Sequence, residues 1–291
     1  MRALAALAVW LAGAASPSGA QVLWSREIRG TDLDVDLHGR IYVLNAEERT
    51  LTLFGEDGEV LLSAGGPGWD GGLLDEPAGV WARNGMDIFV ADRGNHRVHR
   101  FDRTLSHVSS LYTREDPDPE KRFGYPSDLA VSRSGDLFLC DGENSRVLQV
   151  AGGDRIRRSF GGFDAGRGRL RRPSRIEAGP ADRLYVLDET RVVVYDAFGN
   201  YLREIPLGED VRAVLWADSD GLVLVEGDSL RSFDAEDRPG DLLPLPPGLG
   251  TVCAVAFRGP RAYYLTDRAL VVAGGGIRGR PDAQPRNRRD F

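Results

Sequence analysis

The sequence predicts an all-β fold: a six-bladed β-propeller of four-stranded blades, closed by an N-terminal strand that completes the last blade. Three observations carry this expectation. The pattern Asp-x-x-Asn-x-Arg-Val is written twice, at Asp92–Val98 and Asp141–Val147, 49 residues apart. Six apolar runs closed by a polar residue recur along the chain: RIYVLN (40–45), DIFVAD (87–92), DLFLCD (136–141), RLYVLD (183–188), GLVLVE (221–226) and AYYLTD (262–267). The last of these units is one strand short, and the N-terminal region holds one strand too many. A unit of about 40–50 residues cannot bury its own apolar face, so such copies must stack.

Each element then follows in order. The six runs are rich in Ile, Leu, Val, Phe and Tyr, as strands are, and Gly39, Gly85, Gly135, Asp182 or Gly221 lies at or just before five of them, where a turn is needed. These are the second strands. A first strand precedes each: DLDVDL (32–37), PAGVWA (77–82), PSDLAV (126–131), PSRIEA (173–178), AVLWAD (213–218) and CAVAF (253–257). Third strands follow as RTLTLF, HRVHRF, SRVLQV, TRVVVYD and SLRSFD, and fourth strands as GEVLLSA, LSHVSSL, RIRRSFG and GNYLREI. Four short antiparallel strands per unit make a propeller blade. The sixth unit gives only TVCAVAF, RAYYLTD and ALVVAGG, so QVLWSREI (21–28) is expected to supply its outer strand and remove an exposed edge.

The flanks read differently. Residues 1–20 have a charged start at Arg2, an apolar run and a small-x-small pattern at Ser18–Ala20, as a signal peptide does, so a periplasmic or secreted location is expected. No later apolar run is long enough to cross a bilayer, so no membrane anchor is expected. The propeller is assigned to 21–273, and 274–291 to a disordered, Arg-rich tail. The net charge of −7 and the expected export argue against nucleic acid as a partner.

The linkers GGLLDEP (71–77), KRFGYP (121–126) and GRLRRP (168–173) each lead into a strand, a Gly or Asp turn and an apolar strand ending in Asp, which Asn-x-Arg-Val then follows in two of the three units. This arrangement resembles the NHL repeat, whose arrays form six-bladed propellers. The resemblance implies that Asp92, Asn95, Arg97, Asp141, Asn144 and Arg146 fix the turn between two strands, a task that suits Asn and Asp side chains.

Candidate chemistry is sparse. Some NHL-like propellers are zinc lyases acting on amidated peptides, but His38, His96, His99 and His107 form no His-x-His pair, and His96 and His99 are expected on opposite faces of one strand. No Ser/His/Asp order stands out. Cys140 and Cys253 fall in blades three and six, on opposite sides of the ring, so both are expected to be unpaired and buried. Propeller lactonases hold calcium in the central channel. Here the equivalent first-strand positions are Asp32, Gly79, Asp128, Arg175, Ala213 and Ala254. Two acids beside an arginine are a thin calcium set, and an Asp128–Arg175 salt bridge at the channel mouth is the plainer expectation. No cofactor is therefore expected, calcium in the channel being the alternative.

Charge distribution offers a partner. Eight arginines fall within residues 154–175, and Arg167, Arg169, Arg171 and Arg172 occupy a linker where the pattern asks only for Gly, an apolar residue and Pro. They are expected to be free of packing duties and to contact an acidic protein partner in the cell envelope. The function expected is thus a binding or scaffold module rather than an enzyme. The alternative is a metal-dependent, lactonase-like hydrolase or lyase with its site in the channel around Asp32, Asp128 and Arg175.

Overall fold

The computed structural model describes residues 21–208, 213–218 and 221–274. Its strands form six four-stranded sheets, each strand antiparallel to its neighbours and each sheet one blade. The inner strands are Asp32–Val35, Pro77–Trp81, Pro126–Val131, Pro173–Ala178, Ala213–Asp218 and Val252–Arg258. The second strands end at Asn45, Asp92, Asp141, Asp188, Glu226 and Thr266, within a residue of where the apolar runs placed them. In blades two to four a proline opens the inner strand, where a missing N–H costs least, and the register shifts just after it. The outer strand of blade five, Pro239–Pro244, departs from the sequence reading, which gave no fourth strand there: two prolines and a largely exposed run hide it.

Closure follows the expected route. Gln21–Glu27 pairs antiparallel with Ala269–Gly274 as the outer strand of blade six. It also reaches the next blade. Trp24 Nε1 donates to the Glu56 carbonyl at 2.9 Å and Arg26 Nη1 to the Gly58 carbonyl at 2.7 Å, while Arg261 pairs with Glu56 at 2.8 Å. The predicted signal peptide and, beyond Gly274, the predicted tail lie outside the described residues. No helix among the described residues is long and apolar enough to cross a membrane.

The core lies between blades. Tyr42 and Leu44 of blade one pack with Val80 and Ile88 of blade two, and Phe138 and Cys140 of blade three with Ile176 and Val186 of blade four. Each sheet thus buries both faces against its neighbours, which is why its second strands are almost unbroken apolar runs.

The paired Asp-x-x-Asn-x-Arg pattern is a clamp. Asp92, fully buried, accepts the Asp75 amide on both oxygens at 3.0 Å and the Asn95 amide group at 2.7 Å. Asp141 accepts the Gly124 amide at 3.2 Å, Asn144 Nδ2 at 2.7 Å and Arg146 Nε at 3.0 Å. Asp188 repeats the task in blade four, accepting the Arg171 and Arg172 amides at 2.8 and 2.7 Å, with Arg191 three residues on in the arginine role. Each carboxylate satisfies otherwise unpaired linker amides, as a buried backbone requires. The turns after the second strands and the interblade linkers therefore share one face of the ring, the linker face.

Candidate functional site

The channel-facing side chains were predicted one blade at a time; the structure shows what they do across blades. An inner strand is an edge strand on its channel side, and its amides need acceptors. Asp32 accepts the Val80 amide at 2.9 Å, Asp34 the Ala82 amide at 2.8 Å and Asp128 the Ile176 amide at 2.8 Å. In each case an acid of one blade bonds the residue 48 positions later, on the inner strand of the next blade. Gly79 makes room for this, since a Cβ there would stand 2.1 Å from Asp128 Oδ1.

Two arginines cross the channel between these acids. Arg175 of blade four pairs with Asp32 of blade one at 2.8 Å and donates to the Thr31 carbonyl at 3.0 Å. The expected Asp128–Arg175 salt bridge is thereby corrected: Arg175 reaches across the channel to Asp32 and the Thr31 carbonyl of the opposite blade, which together hold both ends of its guanidinium. Arg83 of blade two pairs with Glu177 at 2.6 Å and Asp34 at 3.4 Å, and donates to the Ala217 carbonyl. Neither Arg83, Asp34 nor Glu177 was singled out from the sequence, although Asp34 and Glu177 sit two residues after Asp32 and Arg175, on the same strand faces.

Four carboxylates thus meet two guanidiniums in a buried space. Burial raises Asp128 to about 7; Arg175 opposes the rise and Asp32 adds to it. Burial likewise raises Asp32 and Asp34 and holds Glu177 well above its ordinary value, against the pull of Arg175, Arg83 and Arg83 respectively. Among the described residues, no group of three or more His, Cys, Asp or Glu side chains is disposed to hold a metal ion.

The arginine stripe of residues 154–175 is not one patch. Arg155, Arg157 and Arg158 lie on the outer strand Arg155–Phe160, at the rim. Arg175 is in the channel. Only Arg167, Arg169, Arg171 and Arg172 belong to the linker face. Nor are all of them free of packing, as expected from the sequence. Arg169 lies over the Phe163 ring at 4.4 Å and Arg167 over Tyr201 at 5.6 Å, and Arg171 faces Glu189 at 3.6 Å. The same pairing extends over the linker face of blades two and three: Arg97 covers Trp69 and Tyr112, at 5.7 and 5.2 Å, and Arg93 and Arg114 flank Tyr125, at 5.8 and 5.9 Å. Trp69 and Phe163 remain 67% and 76% exposed.

Neither cysteine is in a disulfide, as expected, but only Cys140 is buried, with its thiol raised well above the ordinary value by burial; Cys253 is half-buried. The histidines also depart from expectation. His96 sits in the turn at φ 53°, not on the strand, where it accepts the Tyr125 amide at 3.0 Å. His99 and His107 approach each other with ring centroids 5.6 Å apart, each within hydrogen-bond reach of Ser110.

Comparison with known proteins agrees with this architecture. Residues 123–150 match the NHL repeat. A stretch of 121 residues is 31% identical to a Caenorhabditis elegans protein described as a probable peptidyl-alpha-hydroxyglycine alpha-amidating lyase. The match takes in 40% of this chain and 30% of that protein, so the chain spans under a third of that relative's length. Among solved structures, virginiamycin B lyase from Staphylococcus aureus superposes with a TM-score of 0.58 at 13% identity, over 86% of this chain and 99% of that one. The Neurospora crassa Pan2 WD40 domain does so with 0.60 at 8% identity, over 88% and 95%. A lyase and a WD40 domain at equal distance show the fold alone. With six four-stranded blades closed into a ring and the repeat matched in blade three, the chain is a six-bladed β-propeller that carries an NHL repeat.

Proposed function

We propose that this propeller is an exported binding module that docks an acidic protein partner on its linker face. The observation that carries the reading is the run of arginines laid over the exposed rings of Trp69, Tyr112, Tyr125 and Phe163 and the half-buried ring of Tyr201, across blades two to four. A guanidinium stacked on a ring keeps its in-plane N–H groups turned outward, in the planar fork that suits a carboxylate. The rings add apolar contact area at low entropic cost. Linker residues 161–173 carry four arginines against one acid, Asp164, on a chain that is acidic as a whole. Export rests on residues 1–20, and a periplasmic or secreted location goes with it. No cofactor, membrane anchor or nucleic acid enters this reading.

The test uses immobilised poly-glutamate. Full-length protein should be retained at low salt and released as salt rises, since exposed charges are screened over about 8 Å at physiological ionic strength. Replacing Arg167, Arg169, Arg171 and Arg172 by serine should leave the fold intact and abolish retention. Equal elution of the two proteins contradicts the reading.

A second reading, a lyase, is favoured by the 31% identity to the amidating lyase. Release of glyoxylate from a peptide ending in α-hydroxyglycine, above the rate without protein, would support it over the binding module.

A further inference from the structure

Blade two holds a hydrogen-bonded chain that extends from the clamp carboxylate of Asp92 out to the surface. Asp92 Oδ2 lies 3.2 Å from His99 Nε2, His99 Nδ1 lies 3.0 Å from Ser110 Oγ, and Ser110 Oγ lies 2.9 Å from His107 Nε2. Asp92 and His99 are fully buried, whereas Ser110 is exposed. The ladder sets this up. His99 and Ser110 are directly paired on the third and outer strands, Arg97–Asp102 and His107–Leu111, and a bulge brings His107 opposite Phe101 on the same face.

The partners fix the direction of the protons. A carboxylate only accepts, so His99 carries its proton on Nε2 and presents a bare Nδ1. Ser110 must then donate its hydroxyl proton to that nitrogen. Its oxygen is left to accept from His107. A serine whose proton points at a neutral imidazole, itself held by a buried carboxylate, has the arrangement that activates nucleophilic serines, recognised by geometry and not by sequence order.

The surroundings suit a ligand. One step along the ladder, roughly 7 Å away by strand geometry, Arg97 lies between the exposed rings of Trp69 and Tyr112. Its Nε is buried and has no acceptor among the described residues. We propose that Ser110 is an activated nucleophile for acyl transfer from small aromatic esters, with His99 as base and Asp92 holding its tautomer. The ester ring rests on Trp69 and Tyr112. Ser110 Oγ forms a bond to the acyl carbon while its proton passes to His99 Nδ1. The ester C–O bond then breaks, and the departing alkoxide takes that proton and leaves as the alcohol. Water, deprotonated by the same nitrogen, releases the acyl group as a carboxylic acid and restores Ser110.

The test is a fluorophosphonate applied to the folded full-length chain. There Ser110 Oγ bonds to phosphorus, fluoride leaves, and the serine proton goes to His99. Peptide mapping compares Ser110 with Ser106 and Ser109, exposed serines of the same segment that serve as internal controls. Ser110 should react at least about 100-fold faster than either, the usual scale of general-base assistance. His99→Gln should reduce its rate to the level of Ser109. Hydrolysis of p-nitrophenyl benzoate should vanish in Ser110→Ala. Labelling of Ser110 no faster than Ser109 in the folded wild-type chain overturns the proposal, whether or not the His99 variant folds.

Discussion

Asp128 is the residue where the structure makes its sharpest claim about pH. Burial lifts its carboxyl to about 7, whereas an unfolded carboxyl titrates near 4. Between those values the folded chain holds a proton that the unfolded chain has released. Stability from this group is therefore present in full below about pH 4 and is lost as pH rises to about 7. Asp32, Asp34 and Glu177 shift in the same direction. Asp128→Asn stays neutral and keeps an oxygen for the Ile176 amide. Its melting temperature should match wild type near pH 4.5 and exceed it at pH 8 by several degrees, at roughly 2–4 °C per kcal/mol for a chain of this size. An offset independent of pH would mean that Asp128 is charged in both states throughout. The identity of these residues was readable in the sequence, but their pairing was not. Asp32 and Arg175 meet across the ring from blades one and four, and no local pattern states which side chains face each other over a channel. Ser110 was hidden for a related reason: its contact with His99 depends on a register that includes a bulge.

At the scale of the element, the blades were legible because each strand carries its own signal. The second strands are continuous apolar runs ended by a polar residue, and the Asp at that end in blades two to four clamps its own linker. Where that signal is absent the reading fails, as at Pro239–Pro244, an outer strand with little to bury. The closing strand is the element whose removal should matter most. Gln21–Glu27 shields the edge of Ala269–Gly274, and Trp24 and Arg26 tie blade six to the turn of blade one. Deleting 21–28 exposes that edge, leaves the Glu56 and Gly58 carbonyls without these donors, and uncovers part of the core around Val271 and Leu270. A loss of at least about 2 kcal/mol is expected from burial of two or three partly covered apolar side chains, read as an earlier denaturation midpoint with new dependence on protein concentration. An unchanged midpoint would show that the ring closes without it.

Over the whole molecule, the two faces and the channel divide the work. The channel is tied shut by acids that satisfy the neighbouring blade's amides and by arginines that span the ring. The linker face carries the stacked arginines and the exposed rings, on a scaffold that the Asp clamps hold rigid, which is the usual placement of recognition residues. The proposed function requires that acidic ligands bind this face. Hydrogen exchange of the full-length chain, with and without a poly-glutamate peptide at low salt, tests it most directly. Slowed exchange is expected at 161–173 and in the linkers around Trp69 and Tyr125, with no change in the opposite turns at 36–40 and 55–58. Protection confined to those opposite turns, or spread evenly around the ring, would contradict it.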